Sequence, residues 1–101
     1  MPMSPIPPGD DTYLFCLYVA GRGEPQSLRA IETFYQMADL LPIVCELEVV
    51  DIFEQIELAE AAKITAIPTL VKQYPPPVQK FVGELSDPNQ VLSRLKLRFS
   101  S

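Results

Sequence analysis

The stretch Ile64-Thr-Ala-Ile-Pro-Thr-Leu-Val-Lys-Gln-Tyr-Pro-Pro-Pro-Val78 decides how this chain is read. Its first half sets Pro68 between Ile67 and Thr69 and runs into a β-branched, apolar segment. That is the pattern of a strand entered through a tight turn, and Pro68 is the candidate for a cis peptide bond there. The second half, Pro75-Pro76-Pro77, forces a turn or an extended link. Each proline fixes φ and disfavours helix at the residue before it. A strand, a forced turn and a second strand over Val78 to Val82 follow. A proline-gated strand of this kind invites a redox reading, which the rest of the chain must support or deny.

Working outward, Thr12-Tyr-Leu-Phe-Cys-Leu-Tyr-Val-Ala20 is almost wholly apolar, as in a strand buried on both faces of a parallel or mixed sheet. Gly21-Arg-Gly-Glu is a loop, and Pro25 suits the first turn of a helix. Leu28, Ile31, Phe34 or Tyr35, and Ala38 then recur at helical spacing until Pro42 stops the helix. Residues 43–50 alternate, with Glu46 and Glu48 on one face, and predict a half-buried strand near an edge. Asp51 is expected to cap a short helix with Leu58, Ala59 and Ala62 inward. Ser86-Asp87-Pro88 starts a last helix, with the Ser86 hydroxyl as its cap, an acid at the positive end and a proline in the first turn, and the helix is striped by Val91, Leu92, Leu95 and Phe99. The order β-α-β-α-β-β-α, with a right-handed first crossover, is the thioredoxin topology, an α/β fold.

The 101 residues suffice for one domain with a modest core. A hydrophobic content of 48% and a charged content of 21% are ordinary for a globular protein. The domain is placed at 12–101, behind a proline-rich lead-in at 1–11 that is expected to be disordered and has no signal-peptide pattern. A net charge of −5 argues against nucleic acid or an anionic membrane as partner, and no apolar run is long enough to span a bilayer. Two cysteines and no export signal point to a reducing cytoplasm.

Catalytic patterns fail one by one. A thioredoxin oxidoreductase needs Cys-x-x-Cys at the first helix, where Gly21-Arg22-Gly23-Glu24 stands instead. Cys16 and Cys45 lie within strands, where cysteine behaves as a small hydrophobe; single-cysteine redox or thiol-binding chemistry is the rival reading. Without histidine there is no catalytic triad, Cys–His pair or histidine metal site. Glu46, Glu48 and Asp51 read as a solvated strand face rather than a hard-cation site. No cofactor or metal is expected. The Gly21–Pro25 loop is either a flexible turn or a partner contact at the end of the sheet where α/β folds bind.

Several segments, in order, carry a resemblance: Leu17-Tyr-Val-Ala-Gly21, Pro25-Gln-Ser-Leu-Arg-Ala-Ile31, Val49-Val-Asp-Ile52, Leu58-Ala-Glu60, Ile67-Pro-Thr-Leu70, Pro75-Pro-Pro-Val78 and Gly83-Glu-Leu-Ser86. Together they resemble the KaiB family of clock proteins over nearly the whole chain; the sensor domain of the kinase SasA is similar but less so. The resemblance implies a non-enzymatic protein that docks on the hexameric ATPase KaiC. It also implies two architectures: a thioredoxin-like monomer, βαβαββα, which binds KaiC, and a tetramer, βαββααβ. Where the family reads Val-Leu-x-Gly-Leu-Asp-Leu, this chain has Val91-Leu-Ser-Arg-Leu-Lys-Leu97. Arg94 and Lys96 both favour helix, through propensity and the helix dipole, so the thioredoxin-like monomer is expected. Glu48 stands where the family carries a lysine beside its KaiA-recruiting edge, which speaks against a KaiA-type partner. The partner-binding candidates are Arg29, Lys72, Lys80 and Glu84. Lys72 and Lys80 match basic positions, Glu84 keeps an acidic one, and Arg29 is either a ring contact or a solvated charge. A stress-related adaptor with no clock role is the remaining alternative.

Overall fold

The structure, a computed structural model, describes residues 12–95. Its elements are β1 (Thr12–Val19), α1 (Pro25–Asp39), β2 (Val44–Asp51), α2 (Ile56–Ala61), β3 (Thr69–Tyr74), β4 (Gln79–Val82) and α3 (Pro88–Leu95). The sheet order is β2-β1-β3-β4. β1 pairs with β2 in parallel and with β3 antiparallel, and β3 pairs antiparallel with β4. This is the thioredoxin-like order, with α3 where the alternative architecture would put a strand. The lead-in at 1–11, Lys96 and Phe99 lie outside the described residues.

Strand position explains strand composition. β1 is central and Phe15 to Val19 are buried without a break, so its continuous apolar run is required on both faces. β2 is an edge strand, and its residues alternate between exposed and half-buried until Val50 and Asp51. One face of the sheet, under α1 and α3, buries Phe15, Leu17, Leu70 and Phe81 with Phe34, Met37, Val91 and Leu95. The other, under α2, buries Cys16, Tyr18, Val50 and Val71 with Ala59.

Four local expectations are corrected. In α1 the buried residues are Ser27, Ala30, Thr33, Phe34 and Met37, while Leu28 and Tyr35 are about half exposed; the inward face is turned by one residue. Thr33 is inside because its Oγ1 donates to the Leu85 carbonyl at 3.0 Å, and a hydrophobicity pattern does not count such a residue as core. Asp51 does not cap α2, whose N-cap is Gln55. Of the three α2 residues placed inward, Leu58 is exposed, because six residues give one turn and a half with only Ala59 facing the sheet squarely. At α3 the cap is Asp87, not the Ser86 hydroxyl: its Oδ1 accepts the Asn89 N–H at 3.0 Å.

Candidate protein-interaction surface

The surface that joins α1 to the β4–α3 connection is fixed from beneath by the Thr33–Leu85 hydrogen bond. On it, Arg29 Nη1 donates to Glu84 Oε1 at 3.3 Å, with both side chains about 60% exposed (59% and 61%). Two sequence candidates 55 positions apart are thus brought into contact. An ion pair this exposed contributes about 0–1 kcal/mol, so an incoming charge can replace either member at small cost.

The two lysines differ. Lys80 is exposed on β4, and its Nζ donates to the Ala62 carbonyl at the C-cap of α2, at 2.9 Å. It satisfies a carbonyl that the helix end leaves open while keeping its charge at the surface. Lys72, expected at a partner contact, is only 4% exposed. Its Nζ donates to the Pro75 carbonyl at 2.6 Å and lies 5.6 Å from the centre of the Tyr13 ring. Burial pulls its pKa below the ordinary lysine value. Lys72 therefore braces the start of the triple-proline turn from inside.

Pro68 is buried and follows a cis peptide bond; the Tyr74–Pro75 and Pro76–Pro77 bonds are cis as well. The Pro68 carbonyl accepts the Gly83 N–H at 3.3 Å, and Thr69 Oγ1 donates to the Ala66 carbonyl at 2.6 Å, so the turn ties β3 to the end of β4. Arg94 lies on α3 with its guanidinium carbon 5.4 Å from the centre of the Phe81 ring. It stacks α3 on β4 in addition to having the better helix propensity.

Sequence reasoning missed the role of Asp51. This buried carboxylate accepts three backbone N–H groups: Gly21 (3.1 Å) and Phe53 (2.9 Å) on Oδ1, and Arg22 (3.0 Å) on Oδ2. The Phe53 bond leads in holding its pKa below the ordinary carboxylate value. Gly21 has φ of +83°, and a Cβ there would meet the Glu24 side chain at 2.8 Å, so the turn needs glycine. The Arg22 guanidinium closes the arrangement by donating to the Val49 carbonyl at 2.6 Å. The Gly21–Pro25 loop is therefore a turn clamped to the end of β2. Its only sequence signal was an acid at a strand end two residues from another turn.

The thiols sit apart. Cys16 is buried on the α2 side and Cys45 half-buried on the α1 side. Burial pushes both pKa values up, that of Cys45 to about 11. A raised pKa leaves little thiolate, the reactive form. Among the described residues no three His, Cys, Asp or Glu side chains are grouped to hold a metal, and no helix is long and apolar enough to cross a membrane.

The KaiB domain family matches residues 16–97. The chain is 45% identical over 89 residues to the circadian clock oscillator protein KaiB of Prochlorococcus marinus strain MIT 9312, covering 87% of this chain and 84% of that protein. It is 43% identical over 98 residues to the protein of the same name from Trichodesmium erythraeum strain IMS101, covering 96% and 90%. Among solved structures it is similar to the N-terminal domain of Synechococcus elongatus SasA, with a TM-score of 0.70, 23% identity and coverage of 98% and 96%. Chloroplastic thioredoxin z aligns with a TM-score of 0.66 at 20% identity, over 86% of this chain and 78% of its own. At such identities these structures bear on the fold alone.

Proposed function

The chain belongs to the KaiB family, and from that premise we propose that it is a non-enzymatic interaction module that docks as a monomer on a KaiC-type ATPase ring and modulates a clock or clock-related system. One observation carries the reading. The chain has the thioredoxin-like order β2-β1-β3-β4 with α3 as a helix, the architecture that the family resemblance associates with ring binding. Arg29 and Glu84 are the first contacts proposed, because their exposed pair exchanges partners at low cost, and Lys80 adds a surface cation. Lys72 contributes by bracing the turn between β3 and β4. Arg94 holds α3 in its helical form, with Lys96 acting in the same sense through the helix dipole. A KaiA-type partner is left out, since Glu48 gives the β2 edge the opposite charge to the family's lysine.

The thiol reading is the weaker one, because both cysteines are desolvated and neither stands at the start of a helix. The test is gel filtration with native mass spectrometry of the protein mixed with a KaiC-type hexamer from the same cell. Complexes with up to one copy per ring subunit are expected. A folded monomer that never co-elutes with the ring would overturn the proposal.

A further inference from the structure

Helix α1 leaves its leading N–H groups unanswered. The first four N–H positions of a helix have no partner within it. Here Glu24 N–H donates to the Gly21 carbonyl at 3.1 Å, and Pro25 has no N–H to offer. The first bond of the helix runs from Leu28 N–H to the Glu24 carbonyl at 2.9 Å. Gln26 and Ser27 lie between, and among the described residues their N–H groups meet no acceptor. Glu24 is the N-cap but makes no capping hydrogen bond; its side chain lies against Gly21 instead. No acidic residue stands in the first turn.

Ser27 supplies a separate observation. It is only 3% exposed, yet among the described residues its hydroxyl has no hydrogen-bond partner. No fully enclosed side-chain nitrogen or oxygen there lacks a partner, so this hydroxyl faces an opening rather than a sealed interior. Helix side chains tilt toward the N-terminus, which aims the Ser27 hydroxyl at the end where the two N–H groups are open. A donor so nearly desolvated and left unpaired is costly, and a ligand that pairs it removes that cost. The neighbouring turn shows the alternative: there the N–H groups of Gly21 and Arg22 are met by the chain's own Asp51 carboxylate. Gln26 and Ser27 have the same need and no such group.

Three donors at the positive end of a 15-residue helix suit an anion. Glu24 is exposed on the same turn, and among the described residues no cation pairs with it. Its repulsion grows with the charge of the ligand, so a singly charged carboxylate suits the site better than a phosphate dianion. We propose that the N-terminus of α1 is a carboxylate-binding site, in which the ligand oxygens accept from the Gln26 N–H, the Ser27 N–H and the Ser27 hydroxyl. The carboxylate belongs to a small organic acid or to an aspartate or glutamate side chain of a protein partner. The site does not depend on the ring-docking proposal.

The test is titration of the full-length 15N-labelled protein with sodium acetate at neutral pH, with sodium chloride at matched ionic strength as the control and inorganic phosphate as a second probe. Saturable shifts of the Gln26 and Ser27 amides are expected with acetate, weaker ones with phosphate and none that saturate with chloride. Ser27→Ala should weaken acetate binding by about tenfold while leaving the fold intact, since the lost hydroxyl had no partner. Glu24→Asp keeps the charge but shortens the side chain to capping length. It should raise the melting temperature and abolish the acetate response, because the cap then occupies the Ser27 N–H. Chloride shifts equal to those of acetate, no response at Gln26 and Ser27, or acetate affinity unchanged in both variants would overturn the proposal. Adding a KaiC-type ring distinguishes the sources: ring binding weakened by acetate and by Ser27→Ala assigns the carboxylate to the partner, and ring binding indifferent to both assigns it to a free acid.

Discussion

On one side of the sheet α1 and α3 close over eleven buried apolar residues; on the other α2 closes over five, counted among the described residues. The first side carries Phe15 and Phe34 in edge-to-face contact, ring centres 5.1 Å apart. The second leaves an acidic groove open below α2. The contrast separates tasks. Burial area, and with it most of the stabilisation, is concentrated under the two longer helices. The thin side leaves polar and charged groups uncovered.

The largest effect is expected from attacking the thick side. Phe34→Ala should cost about 3–5 kcal/mol in urea unfolding, while Val71→Ala on the thin side should cost about 1.5 kcal/mol. Equal losses would break the comparison.

Asp51→Asn should come next, between a core truncation and a helix-surface change. The folded carboxyl has a depressed pKa, so its contribution is complete above the unfolded value near 4 and is lost as pH falls through the folded value. The gap between parent and variant in urea midpoint should therefore be widest at neutral pH and close on acidification. A gap independent of pH would mean that the charge of Asp51 does not hold the two turns.

Arg94→Gly should cost about 1–2 kcal/mol, from glycine's poor propensity and the lost stacking on Phe81. Thermal melting by circular dichroism checks the magnitude. NMR would show whether residues 88–95 stay helical, and a shift toward strand would sharpen the proposed role of Arg94 in fold preference.

The smallest effect has the opposite sign. α2 ends in a paired-bond cap: Ile64 N–H donates to the Ala59 carbonyl and Lys63 N–H to that of Glu60. Lys63 occupies the left-handed region, with φ of +57°. Lys63→Gly should stabilise by about 0.5–1 kcal/mol, because relief of the Cβ clash exceeds the added freedom of the unfolded chain. An unchanged or lower melting temperature would refute it.

The sequence by itself determined the element order, the central place of β1, the edge character of β2, the missing Cys-x-x-Cys and the family. Each is carried by local pattern: an unbroken apolar run, strict alternation, prolines at fixed points, or motifs in order. It named Arg29 and Glu84 as candidates for a partner contact without indicating that they touch each other. Only the tertiary structure decided the phase of α1, because Thr33 is held inside by its bond to the Leu85 carbonyl, 52 residues away, not by its own hydrophobicity. It also turned Lys72 inward, since the Pro75 carbonyl and the Tyr13 ring converge on it only once β1 and β3 pair. Asp51 follows the same rule. Its three hydrogen-bond donors come from two turns, and only folding brings those turns to one carboxylate. Periodicity records which face of an element is apolar; it does not record which distant backbone groups will need a partner there.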